Sequence, residues 1–76
     1  MSLRGFFTGG CRWEPTIEGR MRATLADGST AEVWRRDGRV VWSNGHLAGI
    51  SHEPSLLFAA WRLAVEARMQ AARIAP

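Results

Sequence analysis

Four residues of this chain have the chemistry for nucleophilic or acid–base work: Cys11, His46, His52 and Glu53. A cysteine nucleophile needs a histidine within hydrogen-bond reach, and that histidine needs an orienting carboxylate. Nothing in the spacing forces such a meeting. His46 follows an Asn-Gly turn and His52 precedes a helix, both places where a solvated polar side chain is ordinary. Zinc asks for three or four ligands, usually in close pairs. One cysteine and two histidines six positions apart do not supply them. The stretches "GGC" and "DGS" are not phosphate-cradling loops, and the chain has no lysine to complete one. The sequence therefore predicts no catalytic residue, no metal site and no cofactor.

The constellation that remains is basic and aromatic. The stretch "VWRRDGRVVW", Val33 to Trp42, holds two tryptophans, three arginines and an Asp-Gly turn. Arginine beside an exposed tryptophan can contact phosphate and stack on a base. The same pair of residue types dominates hot spots at protein interfaces. The bland alternative is a solvated arginine covering a tryptophan on an ordinary sheet face.

Which of these side chains face outward depends on strand register. Met21, Ala23 and Leu25 alternate with Arg20, Arg22 and Thr24, and "TAEVWRR" and "RVVWS" follow. Asp37-Gly38 and Asn44-Gly45, each between apolar runs, are strong hairpin signals. A two-residue turn at Asp37-Gly38 places Val33, Val40 and Trp42 on one face. A three-residue turn at Ala26-Asp27-Gly28, with Gly28 left-handed, adds Met21, Ala23, Leu25 and Ala31 to that face. A two-residue first turn would bring Arg20 and Arg22 beside Val33, and a one-residue slip inverts every side chain. The three-residue turn sorts apolar from polar, so it is the predicted one. The outer face then carries Arg20, Arg22, Glu32, Trp34, Arg36, Arg39 and Val41. Arg22 is predicted opposite Glu32 and Arg20 opposite Trp34. Arg35 shares the inward parity at the fraying end of its strand.

The flanking segments are assigned more coarsely. Phe6 and Phe7 either fold over the core or form a short edge strand. In "CRWEPTIEG", Cys11, Trp13, Pro15 and Ile17 alternate, but Pro15 demotes the segment to an edge strand or an irregular stretch. After "SHEPS" a helix is predicted over 52–73, capped by Ser51 or Ser55, with Pro54 and Glu53 suited to its first turn. Arg62, Glu66, Gln70 and Arg73 form a polar stripe. Leu57, Ala60, Trp61, Ala64 and Ala71 lie opposite, flanked by Leu56, Leu63 and Ala67, and are predicted to face the sheet. Arg68 breaks that face and is expected to overhang the sheet with its stem packed. Phe58, Val65 and Met69 form an apolar shoulder suited to the N-terminal Phe6–Phe7 segment or to a partner chain. The fold predicted is α+β: a three- to five-stranded antiparallel meander with one long C-terminal helix on one face. It forms one domain over 1–76, with an extended or edge segment at 1–19, the meander at 20–50 and the helix after it.

Composition bounds the rest. The chain has 76 residues, a net charge of +3 and a single cysteine, so no internal disulfide can form. Hydrophobic residues make up 46%, enough for a folded domain. The N-terminal "MSLRGFF" lacks the apolar run of about 7–15 residues that a signal peptide needs, and no stretch suits a spanning helix. A cytoplasmic protein without a membrane is expected. The sequence pI near 11.1 overstates the basic character. All ten basic residues are arginine and tyrosine is absent, a pattern of GC-rich codon usage that also removes the lower-pKa buffering groups.

Two resemblances follow from this plan. From Thr30 to Arg68, three strands and a helix resemble the DNA-binding domains of the AP2 and integrase N-terminal type. That resemblance implies readout by Trp34, Arg36 and Arg39. Against it, Glu32 lies within the patch, and +3 is low for a protein that depends on phosphate contacts. In size, composition and sheet-plus-helix plan, the chain also resembles small phage and mobile-element inhibitors of the anti-CRISPR kind. That resemblance implies inhibition by occupying a surface. The partner would be a protein with an acidic surface, such as a subunit of a nucleic-acid-binding effector complex. The residues expected to bind it are Arg20, Arg22, Trp34, Arg36 and Arg39. Direct DNA or RNA binding is the alternative. A homo-oligomer built on the apolar shoulder is a third reading, with the chain a monomer or weak homodimer.

Overall fold

The computed structural model describes residues 4–45, 47–51 and 55–74. Six strands form one antiparallel sheet in chain order. They are β1 (Phe6–Thr8), β2 (Cys11–Pro15), β3 (Met21–Thr24), β4 (Thr30–Arg36), β5 (Arg39–Ser43) and β6 (Ala48–Ser51). A single helix, α1 (Leu56–Ile74), follows. It lies across the inner face over β4, with its flanks on β1 and β5. The class is α+β, with six strands where three to five were predicted. The predicted capping position of Ser55 is realised: its Oγ accepts from the Phe58 N–H at 3.4 Å. His46, His52, Glu53 and Pro54 lie outside the described residues.

The predicted register holds strand by strand. Arg36 pairs with Arg39 across Asp37-Gly38, and both turn residues have positive φ, as the tightest hairpin turn requires. Ala23 pairs with Ala31 and Arg22 with Glu32. The Leu25 N–H then donates to the Ser29 carbonyl at 2.8 Å, leaving a three-residue turn. Gly28 is left-handed there, at φ 87°. Asp27 ties that turn down by accepting from the Ser29 hydroxyl at 2.6 Å.

Of the two alternatives for Phe6 and Phe7, the short edge strand is the one formed. Thr8 pairs with Cys11, so Gly9-Gly10 is a hairpin turn. Pro15 does not demote β2 to an edge strand. It sits at the strand's last position, paired with Met21, where the missing N–H costs least. The edge is β1, with Phe6 opposite Trp13 and their rings stacked at 6.4 Å.

The core is built asymmetrically. The sheet supplies bulk from Trp13, Met21, Val33 and Val40, all essentially fully buried. The helix supplies mostly small residues: Ala59, Ala60, Leu63, Ala64 and Ala67. Alanines let the helix axis approach the sheet closely. This corrects the predicted helix face: Leu57 and Trp61 are about half exposed, so the buried stripe is rotated by roughly 60° at 100° per residue. The cause is steric. The β1–β2 turn occupies that flank, where a Cβ on Gly9 would lie 2.7 Å from Ala64 Cβ and 3.1 Å from the Trp61 carbonyl. Only the small side of the helix fits beneath. Arg68 is exposed as expected, beside Gly10.

A candidate binding face on the outer sheet

The outer face divides into two halves of different character. On the β2–β4 side, Glu32 anchors an ion-pair cluster. Its Oε2 accepts from Arg22 Nη2 at 2.6 Å and Nε at 2.8 Å, and its Oε1 accepts from Arg20 Nη1 at 3.2 Å. Arg20 also lies 3.7 Å from Glu18, and Arg12 lies 3.9 Å from Glu14. Three arginines (Arg12, Arg20, Arg22) thus meet three glutamates (Glu14, Glu18, Glu32), and this half carries no net charge. The cause is register: Arg22 sits directly opposite Glu32 on one side and Glu14 on the other.

Burial pushes the Glu32 carboxyl up, but hydrogen bonds and charge from Arg22 and Arg20 outweigh it, so its pKa falls below the ordinary 4.5. A carboxyl with a folded-state pKa below its unfolded one contributes its full stability above the unfolded pKa. That contribution is lost as pH falls through the folded value. Glu32→Gln is therefore expected to cost about 1 kcal/mol at neutral pH, since the arginines are partly solvated. It should also flatten the decline in melting temperature below about pH 4.5. Melting curves of both proteins from neutral to acid pH check this. Parallel declines would show that Glu32 is not the linked group.

The β4–β6 side is different. Trp34 pairs with Val41, and Val41 with Ile50, so an apolar row crosses three strands. The Arg20 guanidinium lies 3.9 Å from the centre of the Trp34 ring and covers part of it, as its predicted position opposite Trp34 required. Ile50 is 56% exposed. At the end of this row the β4–β5 hairpin presents Arg36 and Arg39 opposite each other. Both are exposed, and no ion pair involves either among the described residues.

The five residues expected to bind a partner therefore share one face but not one role. Arg20 and Arg22 are spent on Glu32. Trp34, Arg36 and Arg39 remain available. Ile50 was missed, because its facing depends on the loop between Ser43 and Ala48, which spans four residues rather than the two of Asn44-Gly45. Leu57 and Trp61 were missed as surface residues for the steric reason given above. Cys11, the nucleophile considered first, is buried on the inner face.

The chain matches no protein-family model, no curated protein and no solved structure. No described helix is long and apolar enough to cross a membrane. Among the described residues, no group of three or more histidines, cysteines and carboxylates is placed to hold a metal ion. What the outer face can do chemically is bind: a flat apolar row with one amphipathic indole, ended by two cationic forks.

Proposed function

We propose that this protein is a non-enzymatic binding module that docks the Trp34–Arg36–Arg39 end of its outer sheet face onto an acidic protein surface. The supporting observation is the division of charge. The ion-paired half is neutral, so net positive charge on this face concentrates at the β4–β5 hairpin beside the apolar row. An indole flanked by cationic forks suits a protein pocket rimmed with carboxylates. The same division disfavours the nucleic-acid reading, because two of the five basic and aromatic residues already neutralise Glu32 and leave few phosphate contacts. In keeping with the anti-CRISPR-like plan, the mode of action proposed is inhibition by occluding a surface of a larger nucleic-acid-handling complex.

Trp34→Ala is expected to weaken partner binding by at least about 30-fold, the scale of an interfacial hot spot. The pair Arg36→Ala and Arg39→Ala is expected to weaken it about 10-fold and to reduce its salt dependence. Fluorescence anisotropy with labelled duplex and single-stranded DNA or RNA at low salt tests the competing reading. Tight binding that falls steeply with salt and vanishes in the double arginine variant would overturn the protein-partner proposal.

A further inference from the structure

The outward side of α1 is apolar. Leu57, Phe58, Trp61 and Met69 are each about half exposed, Val65 lies between them, and the Phe58 and Trp61 rings touch at 5.6 Å. The buried stripe centres on Ala60, Leu63 and Ala67, so this second stripe runs along nearly the opposite side of the helix. Its charged neighbours flank it, with Arg62 and Glu66 along one edge and the exposed Arg68 along the other, beside Trp61.

We propose that this stripe is the interface of a two-fold symmetric dimer in which the helices of two copies pack antiparallel about Val65. Three features select a second copy. The stripe is self-complementary in size about Val65. Antiparallel packing sets Trp61 against the partner's Met69, and Phe58 against the partner's Ala72, so large faces small and the thioether meets the indole. It also sets Leu57 against the stem of the partner's Arg73. Charge is self-complementary too. Arg62 and Glu66 line one edge of the stripe, one turn apart and 3.1 Å from each other. In a two-fold antiparallel pair the same edges face each other, so Arg62 comes beside the partner's Glu66, two residues (about 3 Å) out of direct register, and the reverse. The dimensions fit a weak closed dimer. A helix of 19 residues offers a seam about 28 Å long. Its half-exposed large side chains present on the order of 400 Å² of apolar surface, less than the roughly 800 Å² per partner of a standard stable interface. Such a dimer leaves both outer sheet faces free on opposite sides.

Sedimentation velocity on the full chain between about 10 µM and 1 mM tests this. A concentration-dependent monomer–dimer equilibrium is expected. Val65→Glu places two carboxylates at the two-fold axis and is expected to hold the chain monomeric throughout, with an unchanged far-UV circular dichroism spectrum. Arg62→Glu alone is expected to weaken the dimer, and Arg62→Glu combined with Glu66→Arg to restore it. A wild-type monomer across the range overturns the proposal. So does a dimer that survives Val65→Glu, or a double exchange no tighter than the single one. Trp34→Ala leaves this association intact, so the helix dimer and the sheet-face reading fail separately.

Discussion

Trp13→Ala is expected to remove a large fraction of the protein's folding stability, about 3–5 kcal/mol. Trp13 is wholly buried, stacked on Phe6 and placed between the β1 edge and β3. Removing a buried large aromatic costs about 3–5 kcal/mol through lost burial and the cavity left behind. A chain of 76 residues has roughly 4–11 kcal/mol in all. Collapse around the cavity is limited, because the helix above is already in close contact through alanines. Trp13→Phe should behave differently. The Trp13 indole Nε1 is buried without a hydrogen-bond partner among the described residues, and an unsatisfied buried donor costs about 1–3 kcal/mol. Phenylalanine loses volume but also removes that donor, so its net cost is expected to stay below about 2 kcal/mol. Urea denaturation followed by circular dichroism separates the two variants. Equal losses would mean that the indole's bulk does not hold the N-terminal hairpin to the core.

Gly9→Ala is the second large effect, expected at about 2–5 kcal/mol. Two independent costs combine there. The backbone is left-handed, at φ 62°, which an L side chain adopts at about 1–2 kcal/mol. The new methyl would also meet Ala64 Cβ at 2.7 Å and the Trp61 carbonyl at 3.1 Å, an overpacking that typically costs about 1–3 kcal/mol. Gly10→Ala isolates the first cost. Gly10 is also left-handed, but its methyl would meet only the mobile end of Arg68, at 3.3 Å. It is expected to lose about 1–2 kcal/mol. In a double-mutant cycle, Ala64→Gly should recover part of the Gly9→Ala loss and none of the Gly10→Ala loss. Additive behaviour at Gly9 and Ala64 would contradict the close approach of turn and helix. That approach also fixes which helix residues face outward, so the cycle tests the origin of the Leu57–Met69 stripe.

The parts of this fold that were legible in the sequence are those set by local chemistry. Asp37-Gly38 fixes a turn with positive φ at both residues and places Val33 and Val40 inward, and the three-residue turn at Ala26–Gly28 brings Met21 to the same face. From that register alone, Arg22 had to meet Glu32 and Arg20 had to meet Trp34. The illegible parts depend on contacts between distant segments. Gly9-Gly10 resembles any glycine-rich loop until Thr8 is seen paired with Cys11. Pro15 argues against an interior strand unless its position at the strand's end is known. The helix carries apolar residues nearly all round, so its periodicity does not choose between Leu57–Trp61 and Ala59–Leu63 for the core. Sterics choose, because Trp13 and Met21 fill the inner face and the β1–β2 turn blocks one flank. The candidate site was half legible for the same reason. Its face followed from parity, while the neutralisation of Arg20 and Arg22 and the addition of Ile50 required the full sheet.

The claim that the hairpin end of the outer sheet face binds a protein is tested most directly by affinity capture from a nuclease-treated lysate of the source cells. Wild type, Trp34→Ala, the Arg36→Ala and Arg39→Ala pair, and Val65→Glu would be compared side by side. The captured assembly is expected to survive nuclease, to be retained by Val65→Glu, to weaken with salt, to be lost in Trp34→Ala and to be reduced in the arginine pair. Capture unchanged by Trp34→Ala, or abolished by nuclease, would contradict it.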